Sequence, residues 1–144
     1  MTQSEVWVPQ PPSQQAAITS LIVSHDAFKD DKGRIHVYGI FDTIGAPRFP
    51  VNISFMVFCR VQGEGTHTAF FKIVDSLDEA VIQTEAMPFE VGLTKGHNFF
   101  MGFGVGFKAP GLYKVKAFLD GRPEMEVPLM VREQTEGEEQ EKKE

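Results

Sequence analysis

Residues 51–62, VNISFMVFCRVQ, alternate. Val51, Ile53, Phe55, Val57, Cys59 and Val61 fall on one side, opposite Asn52, Ser54, Arg60 and Gln62. A helix repeats its apolar face every 3.6 residues, so this alternation commits the stretch to a strand with one buried side. The rest of the chain repeats the theme. Runs rich in Val, Ile, Phe and Thr fall at 18–25, 35–44, 66–75, 81–90, 97–107, 112–120 and 124–131, and turn-forming residues separate them. Asp31-Lys32-Gly33 supplies one turn, Pro47 and Pro50 close the second run, and Gly63-Glu64-Gly65 reads as a tight hairpin. Residues 76–80, 108–111 and 120–123 read as further turns. No helical periodicity of useful length interrupts the series. The pattern predicts an all-β chain, an antiparallel β-sandwich of seven to eight strands.

At 144 residues the chain suits one domain with a real hydrophobic core. Residues 1–16 read as an extended arm carrying Pro9, Pro11 and Pro12, residues 17–132 as the sandwich, and residues 133–144, EQTEGEEQEKKE, as a disordered acidic tail with no apolar residue. Phe stands out at 13 copies against one Trp and two Tyr, which suits a sandwich core with a surplus for a partner. A formal charge of −6 repels nucleic acid and anionic membranes, so neither is an expected partner. One cysteine excludes an intrachain disulfide framework and suits a reducing compartment. The first fifteen residues lack the basic and apolar regions of a signal peptide, and no long apolar run spans a membrane, so the expected location is the cytoplasm.

Residues 98–115, NFFMGFGVGFKAPGLYKV, place Gly102, Gly104 and Gly106 between large apolar residues. A dinucleotide loop needs G-x-G-x-x-G at a strand-to-helix turn, and a P-loop needs GK[ST]; this segment has neither. Read with a period of two, Phe99, Met101, Phe103, Val105 and Phe107 face the core, and Phe100 and the three glycines line the other face. Glycines there either relieve crowding against a neighbouring loop or present a flat docking face.

Nucleophilic catalysis calls for Ser or Cys on a strained turn beside a base, and G-x-S-x-G is absent. Asp30-Asp31 and Asp78-Glu79 read as exposed turn chemistry, and Cys59 as a core thiol. No catalytic residue and no cofactor is expected, and the chain reads as no enzyme. His25, His36, His67 and His97 fall at strand ends. If consecutive strands alternate in direction, all four project to one end of the sandwich, as metal-site candidates or as solvated side chains.

Residues 39–50, 63–75 and 109–131 together resemble a family of small uncharacterised bacterial proteins. Gly39, Phe41, Asp42 and Pro50 carry the first part of the pattern. Gly111, Tyr113, Asp120, Gly121, Pro128, Leu129 and Val131 carry the last. The resemblance spans about residues 18–132 and implies an immunoglobulin-like sandwich, with no activity attached. Tyr113 is expected to pack at a sandwich corner with its hydroxyl bonded to upstream backbone. The expected function is a non-enzymatic module that binds another protein or itself, through Phe100, Gly102, Gly104, Gly106 and Trp7, with Phe58 and Met130 as further outward apolar residues. Trp7 lies in VWVPQPP, which reads as a segment that docks on a sheet edge. The alternative is a small-ligand or carbohydrate-binding module.

Overall fold

A computed structural model describes residues 15–134; the arm with Trp7 and the tail beyond Gln134 lie outside the described residues. Ten strands form two sheets. In chain order they are β1 Ala16–Lys29, β2 Ile35–Ile40, β3 Thr43–Ala46, β4 Val51–Gly63, β5 Gly65–Val74, β6 Ala80–Gln83, β7 Met87–Val91, β8 His97–Phe107, β9 Gly111–Leu119 and β10 Arg122–Glu133. Sheet A runs β2-β1-β4-β8; sheet B runs β3-β10-β9-β5-β6, with β7 also on β5. Every pairing is antiparallel except β3 with β10. Among the described residues no helix is long and apolar enough to cross a membrane.

The core lies between the sheets, where the period-two pattern places it. Phe55, Val57, Cys59 and Val61 of β4 and Phe103, Val105 and Phe107 of β8 are buried against Phe71 and Ile73 of β5 and Val115 and Leu119 of β9. Each such large side chain contributes about 1.5–3 kcal/mol on leaving water. Tyr113 is buried at the edge of this core, and its hydroxyl donates to the Ala109 carbonyl at 2.7 Å, the corner bond expected of it.

Two expected strands each divide. The run at 35–44 breaks because Gly39 adopts φ +67° opposite His25, and a Cβ there would lie 3.0 Å from the His25 Cβ. The Phe41 amide then bonds the Val23 carbonyl, and β3 crosses to sheet B to run parallel with Met130–Glu133. The run at 81–90 forms β6 and β7, which serve as one interrupted partner of β5. Val74 pairs Ala80 at one end and Gly65 pairs Val91 at the other. Between them Thr84 bridges the gap: its Oγ1 accepts from the Phe71 amide and its own amide donates to the Phe71 carbonyl.

Residues 63–65 are not a hairpin. They carry the chain from β4 in sheet A to β5 in sheet B, with Gly63 at φ +140° and Gly65 at φ +103°. Gly63 packs so closely on the Gln15 carbonyl that a Cβ would overlap it. The 120–123 turn is a true hairpin, with Asp120 at φ +52° and Gly121 at φ +81° joining β9 to β10.

Candidate functional site

Strand β8 is an edge. Its eleven residues pair with Val51–Val61 of β4, and among the described residues its other side pairs with no strand. On the outward face Gly102 sits opposite Met56, Gly104 opposite Ser54 and Gly106 opposite Asn52. None of these glycines has a positive φ. A Cβ added at Gly104 would meet nothing within 4 Å, at Gly102 only the Met56 Sδ at 3.5 Å, and at Gly106 the Asn52 Oδ1 at 3.1 Å. Crowding against a neighbouring loop therefore does not explain them. The row bares main chain to solvent instead.

Beside that row lies an apolar band. Ile22, Phe58 and Phe100 form one cross-strand line over β1, β4 and β8, all half-buried, with half-buried Met56 next to them. Arg60 is the charged residue of the adjacent line, and its Nη1 donates to the Asn98 Oδ1 at 2.7 Å. A shallow open depression lies between His25 and Asp26 on one side and Ser54–Met56 and Gly102–Gly104 on the other. Met130, 40% exposed, lies instead on sheet B beside Leu112. The outward apolar residues thus divide between two faces.

The outer face of sheet B is built differently, and the sequence reading missed it. Phe70 stacks on Phe118 with centroids 4.4 Å apart and planes 8° apart. Lys72 lies opposite Lys116, and its Nζ sits 5.3 Å from the centre of the Phe118 ring. Lys116 bonds the Asp78 carboxylate at 2.9 Å and reaches Glu126 at 3.9 Å, while Lys114 meets Glu126 at 3.4 Å. The bond to Asp78 holds the Lys116 ammonium above its usual range, and the same bond holds the Asp78 carboxyl below its own. The alternation in AFFKIV and LYKVKAFL carried the signal for this face.

The four histidines do not share an end. Because β3 crosses to the other sheet, β2 and β4 run in the same direction, both antiparallel to β1, and the simple alternation fails. His25 faces Gly39 across the β1–β2 hairpin, and His36 stacks on Phe28 and bonds the Asp30 Oδ2 at 2.8 Å. His67 and His97 flank Phe89, with centroid distances of 6.0 and 5.1 Å. Among the described residues no three His, Cys, Asp or Glu side chains come together as a metal site.

The carboxylate pairs belong to turns. Asp30 accepts from the Lys32 and Arg34 amides, and the His36 and Arg34 contacts hold its carboxyl far below the usual range. In the second turn Asp75 does the capping, bonding the Leu77 and Glu79 amides. Burial pushes the Cys59 thiol up to about 12, which leaves it un-ionised and inert at neutral pH.

The chain belongs to a family of unknown function (DUF6941), whose sequence model matches residues 19–132. No curated protein matches it. Among solved structures it is similar to a Pseudomonas fluorescens alkylpurine DNA glycosylase, AlkC, bound to DNA containing an abasic site analog. The TM-score is 0.53 and the identity 11%, over 83% of this chain and 31% of that chain. The chain thus spans about a third of that protein, and the likeness is one of fold. It corrects two exclusions drawn from the sequence, that the chain is no enzyme and that nucleic acid is no partner. A similar fold occurs within a glycosylase bound to DNA. The net charge is also unevenly distributed: residues 133–144 hold six glutamates against two lysines, which accounts for −4 of the −6.

Proposed function

We propose that this family member is an immunoglobulin-like interaction module that adds a strand to the β8 edge, and that the strand comes from a second copy of the chain. The open edge with its glycine face carries the reading, because unpaired main chain is a template for another strand. The sequence of β8 is self-complementary in this sense. Two edges set antiparallel and centred on Gly102 place Phe100 of one copy opposite Gly104 of the other, and Asn98 opposite Gly106. An aromatic ring covering a cross-strand glycine compensates for the glycine's missing side chain. For the immunoglobulin-like assignment, β10-β9-β5 corresponds to the G-F-C order and Tyr113 to the corner tyrosine of that fold. Val115, two residues beyond that tyrosine, stands where antibody domains carry their second cysteine, consistent with Cys59 as a free thiol.

Light scattering at high micromolar concentration tests the reading. Wild type is expected to be a dimer, and Gly104→Lys, whose side chain enters open space, a folded monomer. A monomeric wild type, or a Gly104→Lys dimer, overturns it; a monomer that captures an added extended peptide at β8 assigns the edge to a different partner.

A second reading rests on sheet B. Stacked aromatics flanked by lysines suit single-stranded nucleic acid, whose bases stack and whose phosphates pair with cations. Fluorescence anisotropy with a labelled oligonucleotide at low salt tests it. Binding weakened by Lys72→Ala and by added salt supports it; no binding at low salt removes it.

A further inference from the structure

We propose that His67 is a proton-dependent clasp, doubly protonated in the folded chain at neutral pH, that ties the crossover between the sheets to the β9–β10 turn. The ring is buried, at 7% exposure, near the start of β5. Its Nδ1 lies 2.7 Å from the Asp120 Oδ2, and its Nε2 lies 2.8 Å from the Glu64 carbonyl oxygen. Neither partner has a proton to give, since a peptide carbonyl and a carboxylate only accept. Both bonds form only if both ring nitrogens carry hydrogen. A neutral ring donates once, and its other nitrogen then faces a lone pair in a site with little access for water.

The partners are fixed independently of the ring. Asp120 accepts from the Thr68 amide through Oδ1 at 3.0 Å, and its own amide donates to the Thr68 carbonyl at 2.8 Å. The Glu64 amide donates a hydrogen bond to the Gln15 carbonyl at 2.9 Å. Loss of the proton therefore breaks a contact between two anchored segments.

Asp120 is the charge that bonds the ring directly, and Arg122 helps to keep it ionised. From β7 the ring meets apolar Phe89. Beyond Phe89 stands His97 of β8, which burial, with Lys29 and Lys95, keeps toward the neutral form, so it adds no competing cation. For His67 burial opposes the charge, but the bonds to Glu64 and Asp120 prevail and raise its pKa. A raised folded-state value means that the clasp is fully formed below the unfolded value of about 6.5 and is lost as pH rises through the folded one. Opening it removes the side-chain link between the crossover and the β9–β10 turn, while the start of β5 stays paired with β7.

Nitrogen-15 spectroscopy of the histidine rings during a pH titration tests the clasp. The His67 midpoint is expected above neutrality, so that both nitrogens are protonated there. Asp120→Asn, which tolerates the left-handed turn conformation, is expected to lower that midpoint by about one pH unit, a tenfold loss of proton affinity. A single neutral tautomer at neutral pH in wild type overturns the proposal, and so does an unchanged midpoint in Asp120→Asn. If the variant fails to fold, the wild-type tautomer alone decides.

Discussion

The outer faces of the two sheets present opposite solutions to one problem. A sandwich turns half of each strand toward water. On sheet B the outward residues engage one another: Lys116 holds Asp78 and Glu126, Lys72 covers Phe118, and Phe70 stacks on it. Strands β9 and β5 lie inside that sheet, and its margins are the four-residue β3, the part of β10 ahead of Met130 and the interrupted β6–β7. On sheet A the eleven-residue β8 stands at the margin, with glycines where sheet B has lysines and with half-buried Ile22, Phe58 and Phe100 beside them. Natural sheets blunt edges with charge, proline or short length. Sheet B's margins are short or broken, or, along β10, carry Pro123, Pro128, Arg122, Glu124 and Glu126; β8 has neither charge nor proline. The regular β8 edge thus lies open beside an apolar band, whereas sheet B closes its outer face with its own contacts.

The largest effect that could break this contrast lies across β8 itself. Phe103→Ala is expected to cost about 3–5 kcal/mol in denaturant unfolding, because the ring is 5% exposed and packs between the sheets. Phe100→Ala, on the outer face, is expected to cost about 1 kcal/mol or less in the monomer and to weaken association. Equal costs would mean that the sheet A face is core rather than surface. Next in size, Gly104→Val is expected to stabilise the monomer by about 0.5–1 kcal/mol, since β-branched residues suit strands and the added atoms meet open space. A loss of stability would reveal a neighbour over that position. Smaller again, Glu126→Gln on sheet B is expected to change stability by less than about 1 kcal/mol, and less in high salt. The smallest effect is an acid titration. Asp78 has its folded-state pKa lowered by Lys116, so its contribution is present above the unfolded value and fades as pH falls through the lowered one. Chemical shifts around Phe118 should move in that window while those around Phe100 stay still. Movement at both would mean that the two faces are coupled.

Local pattern carried the fold where the answer was local. Residues 97–107 are β8 from end to end, β4 begins at Val51 as its alternation required, and Tyr113 makes its corner bond. The misreadings arose where an answer depended on a distant partner. Gly63-Glu64-Gly65 looks the same in a hairpin as in a crossover, and only the location of β5 in the other sheet distinguishes them. Thr43–Ala46 continues an apolar run, but its partner is β10, more than eighty residues later. That single crossing also separated the histidines, because it reversed the parity on which their grouping depended. In the candidate site, the glycine row was visible but its surroundings were not. The lysines and phenylalanines of sheet B were in plain alternation, but their mutual contacts depend on the register between β5 and β9.

The crossings between sheets also set the order in which this chain can fold. Only β1–β2, β5–β6 and β9–β10 pair neighbours in sequence, whereas β4 must find β8 and β3 must find β10. Each distant pairing loses the entropy of a long loop before its hydrogen bonds return anything, which places such chains among the slow two-state folders, from milliseconds to seconds. The β9–β10 hairpin, closed by Asp120-Gly121 and already presenting Val115, Leu119 and Leu129, is the piece able to form first and wait for the others. Substitutions inside it should slow folding, while those in the β4–β8 ladder should mainly hasten unfolding.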